Sequence, residues 1–268
     1  MSYDKRHYDS VESWRSSESI NLQYDRIAFT YAMISSDVKS ILDVGCGTGL
    51  FFDYVLERKD VKIERLLGSD TSTGRLKHVK VDRVNADITC LPVDALSFDL
   101  VSAMEVFEHL SVDEFFLGIK ELVRISKKYI LLSVPNNERL EDNSVICRSC
   151  KTRFHPSHHK RSFKSNEIMR LFNEYGFKIK KLAVFGKKAD LWLLSPLYRW
   201  FRRTFPPLHA TQSPCPVCGF FLKQTMEFHT RSNRRAPGYL LAIAGSLRSF
   251  WPTKYMDRWI IVIYERTG

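Results

Sequence analysis

No apolar stretch in these 268 residues approaches the ~20 consecutive residues that a membrane-spanning helix needs. The longest candidate, Tyr239 to Gly245, is far too short. Met1 to Glu12 is polar and carries neither the apolar core of a secretory signal nor the bias of a transit peptide. These absences lead to the expectation of a cytoplasmic protein, soluble or peripheral at the inner face of the membrane. There is no internal repeat and no low-complexity tract, which excludes solenoids and fibrous chains. Acidic residues are scarce in one half only. Residues 145–268 hold 23 Lys and Arg against 6 Asp and Glu, whereas residues 1–144 hold 18 against 24. The net charge of +11 therefore comes from the second half. Such a field favours an anionic partner: a phosphate, a nucleic acid or membrane head groups.

Against these absences, Ser40 to Gly49 (SILDVGCGTG) is dense in information. A short apolar run fit for one buried strand ends in Gly45, Gly47 and Gly49, and the amphipathic segment Leu50 to Leu56 follows. Glycine lets a backbone turn tightly and press against a ligand where a turn opens into a helix. A second apolar run ends at Asp70, about 20 residues on, the distance at which an acid binds a ribose hydroxyl pair. The spacing is G-x-G-x-G, and no Lys-Ser/Thr pair follows as a phosphate-gripping loop requires. Asp87 and Ile88 follow a third, weaker strand, and Phe98 to Met104 reads as a fourth.

In these features the chain resembles the class I S-adenosylmethionine-dependent methyltransferases, without gaps from about residue 38 to 135. The resemblance implies an α/β, Rossmann-like seven-stranded sheet with helices on both faces. It also implies a cofactor site built from Asp43, Gly45, Gly47, Gly49, Asp70, Asp87, Ile88 and Glu105. In the family the glycine loop holds the methionine and ribose portions, the acid after strand two takes the ribose hydroxyls, and the acid after strand three meets the adenine.

Strands are expected at about 41–44, 65–69, 81–85, 98–103, 129–134, 177–185 and 259–264. Helices are expected over 13–36, with Ile20, Tyr24, Ile27, Phe29, Tyr31 and Ile34 as its apolar positions, and over 50–58. A third, at 111–126, would bury Phe115, Phe116, Ile119, Leu122 and Val123, and a fourth, at 166–175, would start from Ser165. The expected organisation is a helical cap (1–36) and a core (37–135, 164–186 and 259–268). Two Cys/His-rich basic insertions (136–163 and 187–258) would roof the acceptor pocket.

Four of the six cysteines form two C-x-x-C pairs, Cys147/Cys150 and Cys215/Cys218, one in each insertion. Without an export signal such pairs read as metal ligands or redox pairs before disulfides. Four thiolates suit a closed structural Zn²⁺ site. A mixed site using His155, His158 or His159, or free thiols, are the competing readings.

Two clusters carry candidate chemistry for methyl transfer. Glu105, Glu108 and His109 form an E-x-x-E-H pattern after strand four. It resembles ubiquinone-pathway O-methyltransferases and small-RNA 2′-O-methyltransferases, in which two Glu and one His help hold a divalent cation. That resemblance makes Glu105/Glu108/His109 a candidate cation site and His109 a candidate acid/base; the alternative is that Glu105 packs against the cofactor. The segment Phe154 to Phe163 follows the first cysteine pair as in some methyltransferases of polysaccharide and cell-surface biosynthesis. There His155 and His159 are candidate general bases and Arg161 a candidate anion clamp. A run of aromatics and arginines, Leu191 to Arg203, suits a membrane face, a stacking surface or a buried element, with Pro196 expected to interrupt any helix. The resulting reading is O-methylation of a glycan or lipid-linked saccharide acceptor, anionic or presented at a membrane. An RNA 2′-O- or base methyltransferase and a non-catalytic zinc-stabilised cofactor-binding protein are the rivals.

Overall fold

A computed structural model describes residues 17–58, 63–191, 195–208, 213–220 and 253–268. Residues 13–16, the apolar stretch 239–245 and most of the second insertion lie outside these segments. The strands are β1 (Ser40–Val44), β2 (Arg65–Asp70), β3 (Asp82–Asn85), β4 (Phe98–Met104), β5 (Ser126–Pro135), β6 (Val145–Ile146), β7 (Arg153–Phe154), β8 (Phe177–Leu191) and β9 (Thr253–Arg266). The helices are α1 (Ser17–Met33), α2 (Leu50–Glu57), α3 (Thr73–Leu76), α4 (Val112–Ile125), α5 (Ser165–Ile168) and α6 (Ser195–Thr204).

Seven strands form one sheet in the order β3-β2-β1-β4-β5-β9-β8, and β6 and β7 pair separately. Strands β1 to β5 run parallel, while β9 is antiparallel to both β5 and β8. Parallel strands buried on both faces read as continuous apolar runs, and β1 and β4 do. Leu42, Val44, Val101, Ala103, Ile130 and Leu132 point into one core with α4. Ile41, Leu100, Leu131, Ile261 and Ile263 point into the other with α1 and α2. The carboxyl ends of β1, β2, β4 and β5 consequently share one edge, where an open α/β sheet binds its ligands. Because β9 runs the other way, its residue Trp259 arrives at this same edge, opposite Pro135.

Local chemistry explains the elements and where they depart from expectation. Ser111 caps α4 by accepting from the Glu114 N–H, and Glu114 in turn accepts from the Ser111 N–H at 2.6 Å. The buried stripe of α4 is Phe115, Gly118, Ile119, Leu122 and Ile125. Phe116 is 54% exposed, one position off that stripe. In α1 the buried positions include Arg26, Ile27, Thr30, Tyr31 and Met33, whereas Tyr24 and Phe29 lie at the surface. The expected helix over 166–175 is broken: α5 ends at Ile168, its N-cap is Lys164 and not Ser165, and a separate 3-10 turn covers Asn173–Tyr175. Gly176, at φ 76°, closes the segment. Strand β8 continues past Gly186 to Leu191 and β9 begins at Thr253, so the last hairpin extends well into the region read as insertion. Pro196 does not interrupt α6. It sits in the first turn, where its missing N–H has no helical partner to lose.

The first insertion folds as a β6–β7 hairpin around Cys147 and Cys150. Ile146 donates to the Pro207 carbonyl at 2.9 Å, and Arg203 binds Asp142 at 2.6 Å, which fastens α6 and its following segment to the hairpin.

Candidate active site

The glycine loop follows β1 with all three glycines at positive φ: Gly45 at 74°, Gly47 at 58° and Gly49 at 82°. Gly45 and Cys46 donate to the Ser69 carbonyl at 2.7 and 2.9 Å, so the loop is sewn to the end of β2. At Gly45 a side chain is excluded from within, since a Cβ would lie 2.4 Å from Val106 Cγ2. At Gly47 the opposite holds: a Cβ would meet nothing within 4 Å. Open space before a left-handed glycine at a helix N-terminus is a cradle into which a ligand backbone can settle.

Asp70 is buried and holds this cradle in shape. It accepts from the Gly47 N–H at 2.9 Å and the Ser72 N–H at 2.8 Å. Each carboxylate oxygen has a further lone pair, so two acceptor sites remain for a diol. Asp43 lies beneath, level with Gly68 and Ser102 in the register of β1. Ser102 donates to it at 2.6 Å. Burial pushes the Asp43 carboxyl up to about 7, the Ser102 bond counteracts part of that, and nearby Asp70 adds to it. The set fits the nucleoside and amino-acid portions of S-adenosylmethionine. Cys46 is inert by the same logic, its thiol driven upward by burial and then by Asp43 and Asp70. Asp87 is exposed just beyond β3 and accepts from the Thr89 N–H at 2.9 Å. Ile88 is buried against Gly118 in the core.

Glu105 stands apart from the trio expected with Glu108 and His109. Its backbone is left-handed, at φ 57°, unusual for a side-chain-bearing residue and a mark of functional sites. Its carboxylate pairs with Arg26 of α1 at 3.1 Å and accepts from Trp259 Nε1 at 2.8 Å and Ser133 at 3.3 Å. Arg26 also donates to Ser133 at 3.0 Å. Glu105 therefore ties α1 and β9 to the cofactor end of the sheet. Sequence reasoning missed Arg26 and Trp259; a buried arginine inside an otherwise amphipathic helix was the available signal.

Glu108 and His109 lie in a 3-10 turn, Phe107–His109. The insertion loop docks onto it, with Lys160 and Arg161 N–H groups donating to the Glu108 carbonyl at 2.7 and 3.3 Å. This brings the His159 ring to 4.7 Å from that of His109, edge to face. His155 stacks on His159 at 4.8 Å. Glu138, just after β5, binds His159 through Nδ1 and lies 3.4 Å from His155 Nε2. Burial alone would raise the Glu138 carboxyl, but the hydrogen bonds from His155 and His159 outweigh it and hold it far below the ordinary carboxylate range. Burial, reinforced by Glu105, drives Glu108 well above that range. Glu138 was overlooked in the sequence, although an acid directly after a strand's carboxyl end is where such folds put functional groups.

Two other residues have structural tasks. Arg161, read as an anion clamp, lies over the Phe115 ring at 3.9 Å and donates to the Ser111 carbonyl at 3.1 Å. His158 is buried, with Nε2 2.9 Å from the Pro214 carbonyl and 3.1 Å from Ser213, so it pins one insertion to the other.

The four insertion cysteines converge, as the two C-x-x-C pairs predicted. Cys147 and Cys218 sulfurs are 3.6 Å apart, as are those of Cys150 and Cys215, and all four lie within 4.8 Å of one another. A tetrahedron with Zn–S bonds of ~2.3 Å sets sulfurs ~3.8 Å apart, so the donor set and spacing fit zinc. Each pair forms the same knuckle: the residue after the second cysteine is left-handed, Lys151 at φ 62° and Gly219 at 69°. Its N–H donates to the carbonyl of the first cysteine, at 3.2 Å in one pair and 2.9 Å in the other.

Comparison with known proteins agrees with this geometry. Residues 16–182 match the family described as methyltransferase domain. No curated protein matches the sequence. Among solved structures, a SAM-dependent methyltransferase from Archaeoglobus fulgidus aligns with a TM-score of 0.56 at 17% identity, covering 95% of this chain and 97% of that one. A putative methyltransferase from Haloferax volcanii, solved with the Trm112 methyltransferase activator, gives 0.56 at 14% identity over 98% and 97%. One from Bacillus halodurans gives 0.52 at 14% over 91% and 99%. At such identities these likenesses concern the fold. With the family match over more than half of its length, the chain belongs to the methyltransferase-domain family and is an S-adenosylmethionine-dependent methyltransferase.

Proposed function

We propose that this methyltransferase acts on an oxygen of an anionic glycan or lipid-linked saccharide. The observation that carries the reading is the convergence of Glu138, His155 and His159 beside His109, next to the cofactor edge of the sheet. Methyl transfer to a hydroxyl needs the acceptor oxygen in line with the sulfonium methyl group and its proton removed. S-adenosylmethionine supplies the activated methyl group and leaves as the thioether. In the chain, Gly45, Gly47 and Gly49 receive the cofactor backbone, Asp70 takes the ribose hydroxyls, and Asp43, Asp87, Ile88 and Glu105 complete its surroundings. The histidines His109, His155 and His159 are the groups that handle the acceptor proton, and a carboxylate against an imidazole fixes its tautomer.

The acceptor's charge is inferred from the basic half, 23 Lys and Arg against 6 acids over 145–268. Helix α6 supports acceptor delivery at a peripheral membrane face on the cytoplasmic side: Trp200 and Phe201 are exposed beside Arg199 and Arg203. Among the described residues no helix is long and apolar enough to cross a membrane. Zinc at Cys147, Cys150, Cys215 and Cys218 is proposed to clamp the two insertions into one roof.

The test is incubation of the protein with methyl-labelled S-adenosylmethionine and separated polysaccharide, lipid and RNA fractions. Label in an acidic polysaccharide or glycolipid fraction is expected. Label entering RNA alone overturns the acceptor assignment.

A further inference from the structure

The acceptor proposed above is anionic, and the cation expected from the sequence to hold it, Arg161, is committed to Phe115 and the Ser111 carbonyl. Arg26 is likewise engaged by Glu105 and Ser133. Arg258 is different. It is exposed, one residue before Trp259, and its guanidinium lies 4.5 Å from the centre of that indole. Among the described residues no carboxylate is paired with it, and its neighbour Asp257 pairs with Lys187 instead. A guanidinium laid on an aromatic face keeps its N–H edge for another ligand.

The support beneath Arg258 is rigid. Trp259 is 7% exposed, donates to Glu105 and has Phe185 stacked against it at 6.1 Å. Gly186, at φ 70°, makes room for the stack. A Cβ there would lie 3.0 Å from the Trp259 ring and 3.4 Å from Arg258 Cβ. The backbone is fixed as well, since the Arg258 carbonyl accepts from the Asn136 N–H at 2.9 Å. Asn136 begins the segment that carries Glu138 to the histidines. One indole therefore separates Arg258 from Glu105, at the edge where β1, β4 and β5 end.

We propose that Arg258 is the specificity-determining clamp for the acceptor, taking a carboxylate or phosphate group of the saccharide in its guanidinium fork. Two parallel N–H···O bonds to one anionic group supply both energy and orientation. Held over Trp259, the fork gives up little side-chain freedom on binding, and a lysine there would offer a point charge without that geometry. A neutral saccharide gains nothing from it, so acceptor selection follows charge. The ligand class rests on the anionic-acceptor reading, whereas anion binding at Arg258 can be measured without turnover.

The test is calorimetric titration of wild type, Arg258→Gln and Arg258→Lys with hexagalacturonate, glucose 1-phosphate and neutral maltohexaose, at saturating S-adenosylhomocysteine. Titration of S-adenosylmethionine into each variant verifies that the cofactor half has folded. Wild type is expected to bind one of the anionic probes about tenfold or more tighter than maltohexaose, and the probe it selects distinguishes carboxylate from phosphate. Arg258→Gln should lose about tenfold or more of that affinity and Arg258→Lys should recover only part of it, with cofactor affinity equal in all three. Wild-type protein that binds cofactor but prefers neither anion, or an Arg258→Gln variant that binds the anion as tightly as wild type, overturns the clamp. Label from S-adenosylmethionine entering an acidic saccharide with an unchanged KM in Arg258→Gln also overturns it, and leaves the proposed function standing. Loss of anion affinity in the variant while label enters RNA alone supports the clamp and counts against the saccharide acceptor.

Discussion

Replacing Asp43 by asparagine separates what the cradle contributes to binding from what it costs the fold. The carboxyl is enclosed, accepts from Ser102 at 2.6 Å, and is pushed up to about 7 from 3.8, chiefly by burial. In the unfolded chain it ionises near its ordinary value. Between about pH 4 and pH 7 the folded form therefore keeps a proton that the unfolded form has released. The native pKa is raised, so stability falls as pH rises through this window and levels off above it. Three units at 1.36 kcal/mol each make the full loss about 4 kcal/mol, more than half of it between pH 5 and pH 8. Asparagine preserves the shape and the oxygen that Ser102 needs but carries no charge. Urea unfolding of both proteins across that range should therefore show Asp43→Asn gaining on wild type steadily, and more stable at pH 8. Affinity for S-adenosylmethionine, measured by calorimetry at pH 8, should fall at least tenfold. A constant stability difference across pH, or a variant less stable at pH 8 than at pH 5 relative to wild type, would refute the reasoning.

Gly47→Ala introduces a methyl into space that no protein atom occupies, at φ 58°. Thermal unfolding should register about 1 kcal/mol for the backbone, while cofactor affinity should drop by far more than the stability does. In the knuckles, Lys151→Gly should stabilise the zinc-loaded protein and Gly219→Ala destabilise it, each by about 1 kcal/mol, because both positions are left-handed. Removing Arg26 strands the partly buried Glu105. Arg26→Ala should cost about 3 kcal/mol in chemical denaturation, and adding Glu105→Gln should restore part of it, as a double-mutant cycle would register.

The cofactor half was legible because its chemistry is local. Strand, glycine turn and helix follow one another within Ser40 to Glu57, and the acid at Asp70 closes the motif at a fixed distance. The first five strands matched within a few residues, since each is a short buried run bounded by turns. The cysteine pairs were equally readable, because a C-x-x-C knuckle is a property of a few residues and only the meeting of the two pairs needs the fold. What could not be read was which long-range neighbours share a space. E-x-x-E-H suggested that Glu105 joins Glu108 and His109, but the left-handed turn at Glu105 sends its carboxylate to Arg26 and Trp259, which are remote in sequence. His159 instead comes to lie beside His109 because its loop hydrogen-bonds to the Glu108 carbonyl. Neighbours such as His158 and Arg161 look equally functional in sequence, and only their bonds to Pro214 and Ser111 reveal the structural task. Phe116 shows the same limit on a smaller scale: helical spacing defines a stripe, but its phase is set by the sheet beneath.

The cofactor cradle is tested most directly by calorimetric titration of S-adenosylmethionine into the wild-type protein and an Asp70→Ala variant of verified fold. One saturable site per chain is predicted for the wild type, with binding abolished in the variant, which has lost both the Gly47 anchor and the carboxylate proposed to take the ribose hydroxyls. No heat with well-folded wild type, or equal affinity in the variant, would contradict the account.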